Sequence, residues 1–275
     1  MTTASAATPQ AQGAASGQPL DVPRPPPTLA LRNVSLSFGS RLILRDIDLE
    51  VREGEFVSIV GPSGSGKTTL LRLVAGLLKP TAGSVEFDGN PVTGPSRSRA
   101  VVFQDYVNAL LPWRTVAKNV ELPLEVRKVP DAERGRIITD LLAKVGLSHV
   151  ADHFPGQLSG GMQQRLQIAR CLAQSPRILL MDEPFGALDA LTRQSLQDEL
   201  LRICAEQGVT AVFITHDLEE AIYLGDRVLT LSANPGAVID EIQVDLPRKR
   251  DQLTTREHPN FLAYRHRLFG HLQGH

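Results

Sequence analysis

Residues 55–78, EFVSIVGPSGSGKTTLLRLVAGLL, leave this chain few folds to choose from. EFVSIV is a continuous apolar strand, so both of its faces must be covered, as at the centre of a parallel sheet with helices on either side. It runs into GPSGSGKT at 61–68, which fits G-x-x-x-x-G-K-[ST], and then into the apolar helix TTLLRLVAGLL, ending near Lys79-Pro80. Glycines in such a loop let the backbone wrap phosphate oxygens without a Cβ in the way. Four fixed positions coincide by chance at about one starting point in ten thousand. The strand before and the helix after are also the setting the loop requires. Gly61, Pro62, Ser63, Gly64, Ser65, Gly66, Lys67, Thr68 and Thr69 are therefore read as a nucleotide site. In it Lys67 reaches the β- and γ-phosphates and Thr68 ligates Mg²⁺.

Strands and helices alternate around this unit, which predicts an α/β layer architecture. LALRNVSLSF from Leu29 and LRDIDLEV at 44–51 alternate apolar and polar residues, as half-buried strands do. GSVEFDG (83–89), RAVVFQ (99–104), RILLMDE (177–183) and TAVFITH (210–216) read as further strands, RAVVFQ among them as a core strand. LTRQSLQDELLRICAEQG is an amphipathic helix closed by Gly208, and DLEEAIYLG is another helix. RVLTLSANPGAVIDEIQVDL predicts short antiparallel strands around an Asn-Pro-Gly turn. Residues 105–157 are charged and helical in period, with prolines at 112, 123, 130 and 155, and read as a helical insertion.

The rest of the composition mainly excludes. Residues 1–28 are rich in Ala, Gly, Ser, Thr, Gln and Pro, lack the basic start and apolar core of a secretion signal, and predict a disordered tail. Cys171 and Cys204 are too few for a disulfide framework and read as small buried thiols in a reducing compartment. With 29 basic against 30 acidic residues, the chain has no charge excess suited to nucleic acid. No apolar run approaches the roughly 20 residues of a membrane span. RKR at 248–250 reads most simply as a solvated, flexible stretch.

Several polar residues end predicted core strands, and parallel strands present their carboxyl ends to one crevice. In MDEP (181–184), Asp182 is placed to hold Mg²⁺ through water, and Glu183 to polarise an attacking water as general base. Gln104 and His216 close their strands so as to approach the γ-phosphate, the first through Mg²⁺ or water, the second directly. LSGGMQQRLQIAR (158–170) is a puzzle beside these. A serine and two glycines open an amphipathic helix whose free N–H groups suit an anion, in a chain that already has a phosphate loop. Phe38 either stacks on a purine or packs as an ordinary edge aromatic.

The phosphate loop at 61–68, Gln104, LSGGMQQR (158–165), ILLMDEP (178–184), ALD (187–189) and His216 occur in an order that resembles the ABC-type ATPases. LSGGQ is that family's signature, with Met162 here in place of the usual Gln, and Phe38 falls where the family stacks an aromatic on adenine. The resemblance covers residues 29–245, leaving 246–275 as a C-terminal extension. It implies a P-loop NTPase core with an N-terminal antiparallel β subdomain and an α-helical subdomain inserted at about 105–165. It also implies head-to-tail pairing, with ATP held in cis by 61–68 and capped in trans by Ser159, Gly160 and Gly161. Asp189 would cross that interface and help align Glu183 and His216.

FQDYVNALLPWRTVAKNVELPLE (103–125), DALTR (189–193), DLEEAIYLGDRVLTLSANPG (217–236) and the C-terminal LPRKRD…FLAYRHRLFGHL are similar to ATPase subunits of the nitrate/sulfonate/taurine importer group. The apolar ALLPW, with the single tryptophan, reads either as an exposed docking surface or as a helix packed on the core. That resemblance implies an ATP- and Mg²⁺-dependent translocase ATPase, peripheral on the cytoplasmic face of the cell membrane. Its partners would be a second ATPase subunit, integral membrane permease subunits and, indirectly, an external substrate-binding protein, with no nucleic acid. A regulatory cassette with little turnover, and the ATPase of an exporter or lipoprotein-release complex, remain open at this point.

Overall fold

A computed structural model describes residues 1–2, 26–186 and 188–273. Most of the expected N-terminal tail (3–25) and Ala187 of the ALD turn lie outside the described residues. Strands β1 (Leu29–Phe38) and β2 (Arg41–Val51) form the predicted antiparallel pair. Strand β3 (Phe56–Val60) is buried along its whole length and leads through the phosphate loop into helix α1 (Lys67–Ala75), closed by Gly76 in the left-handed conformation. Strands β4 (Ala82–Phe87) and β5 (Asn90–Pro91) return to the first sheet, whose order is β2-β1-β4-β5 and whose pairings are all antiparallel.

After β6 (Arg99–Val102) the chain enters helices α2 (Tyr106–Ala109), α3 (Val116–Val126) and α4 (Asp131–Lys144). Helix α5 (Gly160–Leu172) packs against all three. Asn119 on α3 is fully buried and spends its amide on the preceding loop. It accepts from Leu111 N at 2.9 Å and donates to the carbonyls of Leu111, Arg114 and Thr115 at 3.0–3.1 Å. One side chain thus fixes the loop that carries Trp113.

The second half alternates β7 (Ile178–Asp182), α6 (Ala190–Gln207), β8 (Thr210–Ile214), α7 (Leu218–Leu224), β9 (Arg227–Leu231) and β10 (Val238–Gln243). The second sheet has the order β10-β9-β3-β8-β7-β6, with only β10 antiparallel. Alternate residues of one strand enter different cores. Ile178 and Leu180 join α1 and the first sheet, whereas Leu179 and Met181 join α5, α6 and the helical insertion. Two-sided burial is why these strands read as unbroken apolar runs, each buried Leu or Ile contributing about 1.5–3 kcal/mol.

Three expectations need correction. RAVVFQ is a core strand only as far as Val102: Ala100 and Val102 are buried, β6 lies at the sheet's edge, and Phe103 and Gln104 lie beyond the ladder. TAVFITH likewise leaves its strand after Ile214, two residues before His216. The RKR stretch is not simply solvated either. Arg250 donates to the carbonyls of Tyr223 (3.2 Å), Pro247 (2.6 Å) and Gly225 (3.4 Å), bonds that order the chain there. Beyond it, α8 (Thr254–Glu257) and α9 (Pro259–Gln273) are stitched to the α/β core. Arg256 and Arg265 both reach Glu219, at 2.6 and 3.0 Å, and Gln252 reaches Asp198 at 2.7 Å.

Both cysteines are free and buried, and burial pushes their thiols up to about 12. They behave as small apolar side chains. Among the described residues no helix is long and apolar enough to cross a membrane.

The turn between β9 and β10 abuts the phosphate loop. Gly236 exchanges backbone hydrogen bonds with β2, Gly236 N to Ile43 O at 2.8 Å and Arg45 N to Gly236 O at 2.9 Å. A Cβ at this position would lie 2.1 Å from the Ser65 carbonyl oxygen. Gly236→Ala should therefore displace the loop and lower stability by about 1–3 kcal/mol, as overpacking does. Urea denaturation of both proteins measures the change.

Candidate nucleotide site

Register determines what meets at the carboxyl edge of the sheet. Ile59 lies beside Ile214, Ile214 beside Asp182, and Met181 beside Val102. The loop after Val60, the acids after Met181, the turn after Ile214 and the segment after Val102 therefore leave the sheet at one level.

In the phosphate loop Gly64 and Gly66 have φ of +80° and +82°, where a side chain would be strained. Ser65 is fully buried and its Oγ has no partner. Lys67 is the first residue of α1, and its Nζ donates to the carbonyls of Gly61 (2.8 Å) and Pro62 (3.1 Å). Burial lowers its pKa, with Glu183 and Asp182 opposing that shift. The ammonium thus bridges the two ends of the loop and retains a third N–H for an incoming phosphate.

Thr68 Oγ1 donates to Asp182 Oδ1 at 3.1 Å. Asp182 is buried, and desolvation raises its pKa against the opposing Thr68 hydrogen bond. Glu183 has φ of +45°, a left-handed conformation that costs a non-glycine residue energy. Its N–H still continues the ladder to Ile214 O at 2.9 Å, while the carboxylate projects into the crevice. There Glu183 Oε2 accepts from Gln104 Nε2 at 3.4 Å and lies 3.1 Å from His216 Nδ1. Gln104, Glu183 and His216 come together although 112 residues of chain separate the first from the last.

Ser159 caps α5 and accepts from Met162 N at 3.3 Å, and Asp189 caps α6 and accepts from Thr192 N at 3.0 Å. Hydrogen bonds from the Thr192 side chain and backbone hold the exposed Asp189 carboxyl below the usual carboxylate range. The two caps are neighbours, because a Cβ on Gly161 would lie 3.0 Å from Thr192 Cγ2 and 3.2 Å from Leu188 Cδ2. Among the described residues no hydrogen bond joins 159–161 to 61–69. Phe38 is 53% exposed at the end of β1. Its hairpin partner strand reaches the loop through Ile43 and Leu44, which lie against Gly66.

The site fits a Mg²⁺–nucleotide. Among the described residues no three His, Cys, Asp or Glu side chains cluster to hold a metal by themselves. A hydroxyl and a carboxylate beside a glycine cradle suit a hard cation that takes its remaining oxygens from phosphate and water. Sequence reasoning missed Arg193 and Glu220, which line a cavity of about 40 Å³ together with Glu183, Gly186, Thr215, His216 and Asp217. The available signal was a carboxylate running directly into the apolar AIYL of α7, a helix buried on every side from Glu220 to Leu224.

Fold and site together define a P-loop nucleotide-binding protein. The family model described as ABC transporter matches residues 44–186. The nitrate import ATP-binding protein of Synechococcus elongatus is 49% identical over 238 residues, and the bicarbonate transport ATP-binding protein of that species is 48% identical over 245. Each alignment covers 86% of this chain, but the chain spans only 36–37% of the length of those two relatives. An uncharacterized ABC transporter ATP-binding protein of Methanocaldococcus jannaschii is 50% identical, with 86% of each chain covered. A dimeric ABC transporter cassette superposes with a TM-score of 0.70 at 37% identity, covering 78% of this chain and 98% of that one. A post-hydrolysis dimer of such a cassette with ADP and Pi gives 0.69 at the same identity and coverage. The chain belongs to the ABC transporter family.

Because folding penalises the charge on Asp182, Asp182→Asn should raise the melting temperature of the nucleotide-free protein. The amide oxygen still accepts from Thr68 while the desolvated charge is gone. The same variant should lose the Mg²⁺ dependence of ATP binding. Thermal denaturation and calorimetric titration with and without Mg²⁺ check the two halves.

Proposed function

We propose that this chain is the ATP-hydrolysing subunit of a bacterial importer, driving uptake of a small nutrient by ATP-dependent head-to-tail pairing. The observation that carries this reading is the Glu183 carboxylate, held at 3.1 Å from His216 and 3.4 Å from Gln104, beside the Thr68–Asp182 pair. Glycine amides of 61–66 and the Lys67 ammonium bind the phosphates, and Phe38 stacks on the base. Mg²⁺, held by Thr68 and Gln104 and through water by Asp182, would neutralise phosphate charge when bound. Glu183 takes the proton from a water whose oxygen bonds to the γ-phosphorus as the bridge to the β-phosphate breaks, releasing ADP and phosphate. His216 donates to the γ-phosphate.

The second cradle belongs to a different copy. Ser159, Gly160 and Gly161 make no hydrogen bond to 61–69 of their own chain, and they adjoin the Asp189 turn. They cap the γ-phosphate bound by the opposing subunit, while Asp189 supports Glu183 and His216 across the interface. The cassette occupies 29–245 with its helical insertion at 105–165, followed by the extension 246–275. Loss of the bridging phosphate opens the pair.

Turnover should rise more than linearly with protein concentration. Glu183→Gln should lower kcat by about a hundredfold or more, and Ser159→Arg should abolish turnover while ATP remains bound in cis. Equally slow turnover of wild type and Glu183→Gln would instead indicate a regulatory cassette.

The membrane partner is a permease docked on the insertion, with an external binding protein beyond it. Trp113 is 71% exposed, whereas Leu110 of the same ALLPW run is buried, so the docking surface is narrower than the apolar run. Phe103 and Arg97, Arg99 and Arg170 line a nearby cavity of about 470 Å³, suited to an apolar side chain flanked by carboxylates. Trp113→Ala should keep its melting temperature and fail to co-purify the permease. Relatives named for nitrate and bicarbonate favour a small anion, within a group that also handles sulfonate and taurine. Growth of a deletion strain on single nitrogen or sulfur sources tests the cargo.

A further inference from the structure

We infer that Arg193 and Glu220 act as one positioning unit, tying the turn that carries Asp189 to the turn that carries His216. Glu220 lies on α7 and is 5% exposed. Its Oε2 accepts from Thr215 Oγ1 at 2.7 Å, and its Oε1 accepts from Gln197 Nε2 at 3.2 Å. Thr215 precedes His216 in the chain. Arg193 lies in the first turn of α6, with Nε 3.6 Å from Glu220 Oε1 and Nη1 3.9 Å from Asp217 Oδ2. Its Nη2 donates to Leu188 O at 3.0 Å, one residue before Asp189. Each end of the pair is therefore one residue from a group assigned to the chemistry.

Stability alone does not account for this arrangement. An ion pair at a buried carboxylate gains little over well-packed apolar side chains, and Arg193 is itself 32% exposed. Burial also works against the Glu220 charge. What the pair supplies is a fixed distance between two loops that belong to different strand–helix connections. Arg193 Nε is buried without a hydrogen bond, so the contact is an ion pair that tolerates small displacement. A shift of Leu188–Asp189 on pairing with a second copy moves Arg193, then Glu220, then the Thr215–His216 turn. Through Gln197 the unit also meets Gln252 and Arg256 of the C-terminal segment, at 3.5 and 3.4 Å.

The inference rests on the hydrolytic reading above, and the experiment separates the two. Glu220→Gln retains an acceptor for Thr215 and removes the charge, and Arg193→Gln removes the tether to Leu188. Each should lower kcat on the order of tenfold, the scale of a modest misplacement of reacting groups. ATP affinity should stay within about twofold and the ATP concentration at half-maximal rate should change little. The double variant should be no slower than the slower single variant, as for residues acting as one unit. Thr215→Val, which removes one hydroxyl at constant shape, should lower kcat in the same way and serves if Glu220→Gln fails to fold. Folded variants with wild-type kcat would overturn the inference, as would a multiplicative double variant or a kcat loss matched by lost ATP binding. A wild type that does not hydrolyse ATP would overturn the hydrolytic reading itself.

Discussion

In the central sheet, parallel pairing sets Ile59 beside Ile214, Ile214 beside Asp182, and Met181 beside Val102, and the chemistry depends on that alignment. A one-residue slip of β7 against β8 would turn Leu179 and Met181 out of one core and into the other. It would also carry Glu183 away from Gln104 and His216. The same apolar burial that stabilises the fold therefore fixes the position of the carboxylate. The hydrogen bond from Glu183 N to Ile214 O extends the ladder by one step while φ of +45° redirects the side chain. Strain at this residue is held by strands on both sides.

Around that edge the charges are arranged at a cost to the fold. Burial works against the ionised forms of Lys67, Asp182 and Glu220. Ser65 carries a buried hydroxyl with no partner. Such groups lower the stability of a resting fold and suit one that gains it back from a polyanion and its cation.

Much of this was legible in the sequence because its signals are local. The loop at 61–68 needs only its own glycines and flanking strand, and Asp182–Glu183 follow directly from an apolar strand. Gln104 and His216 were placed at the right edge although each lies two residues past its strand, since pairing ends where an edge strand or a turn takes over. What was misread depends on distant partners. Arg250 looked solvated because its acceptors are carbonyls at 223 and 225. ALLPW could be read as exposed or as packed, and it is both, because nothing in its pattern reveals that Asn119 folds the loop back, with Leu110 buried and Trp113 outside. Arg193 and Glu220 are separated by 27 residues and meet only through the packing of α6 and α7 on the sheet.

The start of α5 has a further consequence. Ser159 already satisfies the Met162 amide with its own hydroxyl, so in the proposed pairing an arriving phosphate would exchange one acceptor for another instead of meeting a wholly bare helix end. An exchange of this kind is nearly balanced, and its outcome turns on small differences in the charge and geometry of the newcomer. In the proposed pairing, a contact face built on it would tell a nucleoside triphosphate from a diphosphate and still let go within one cycle.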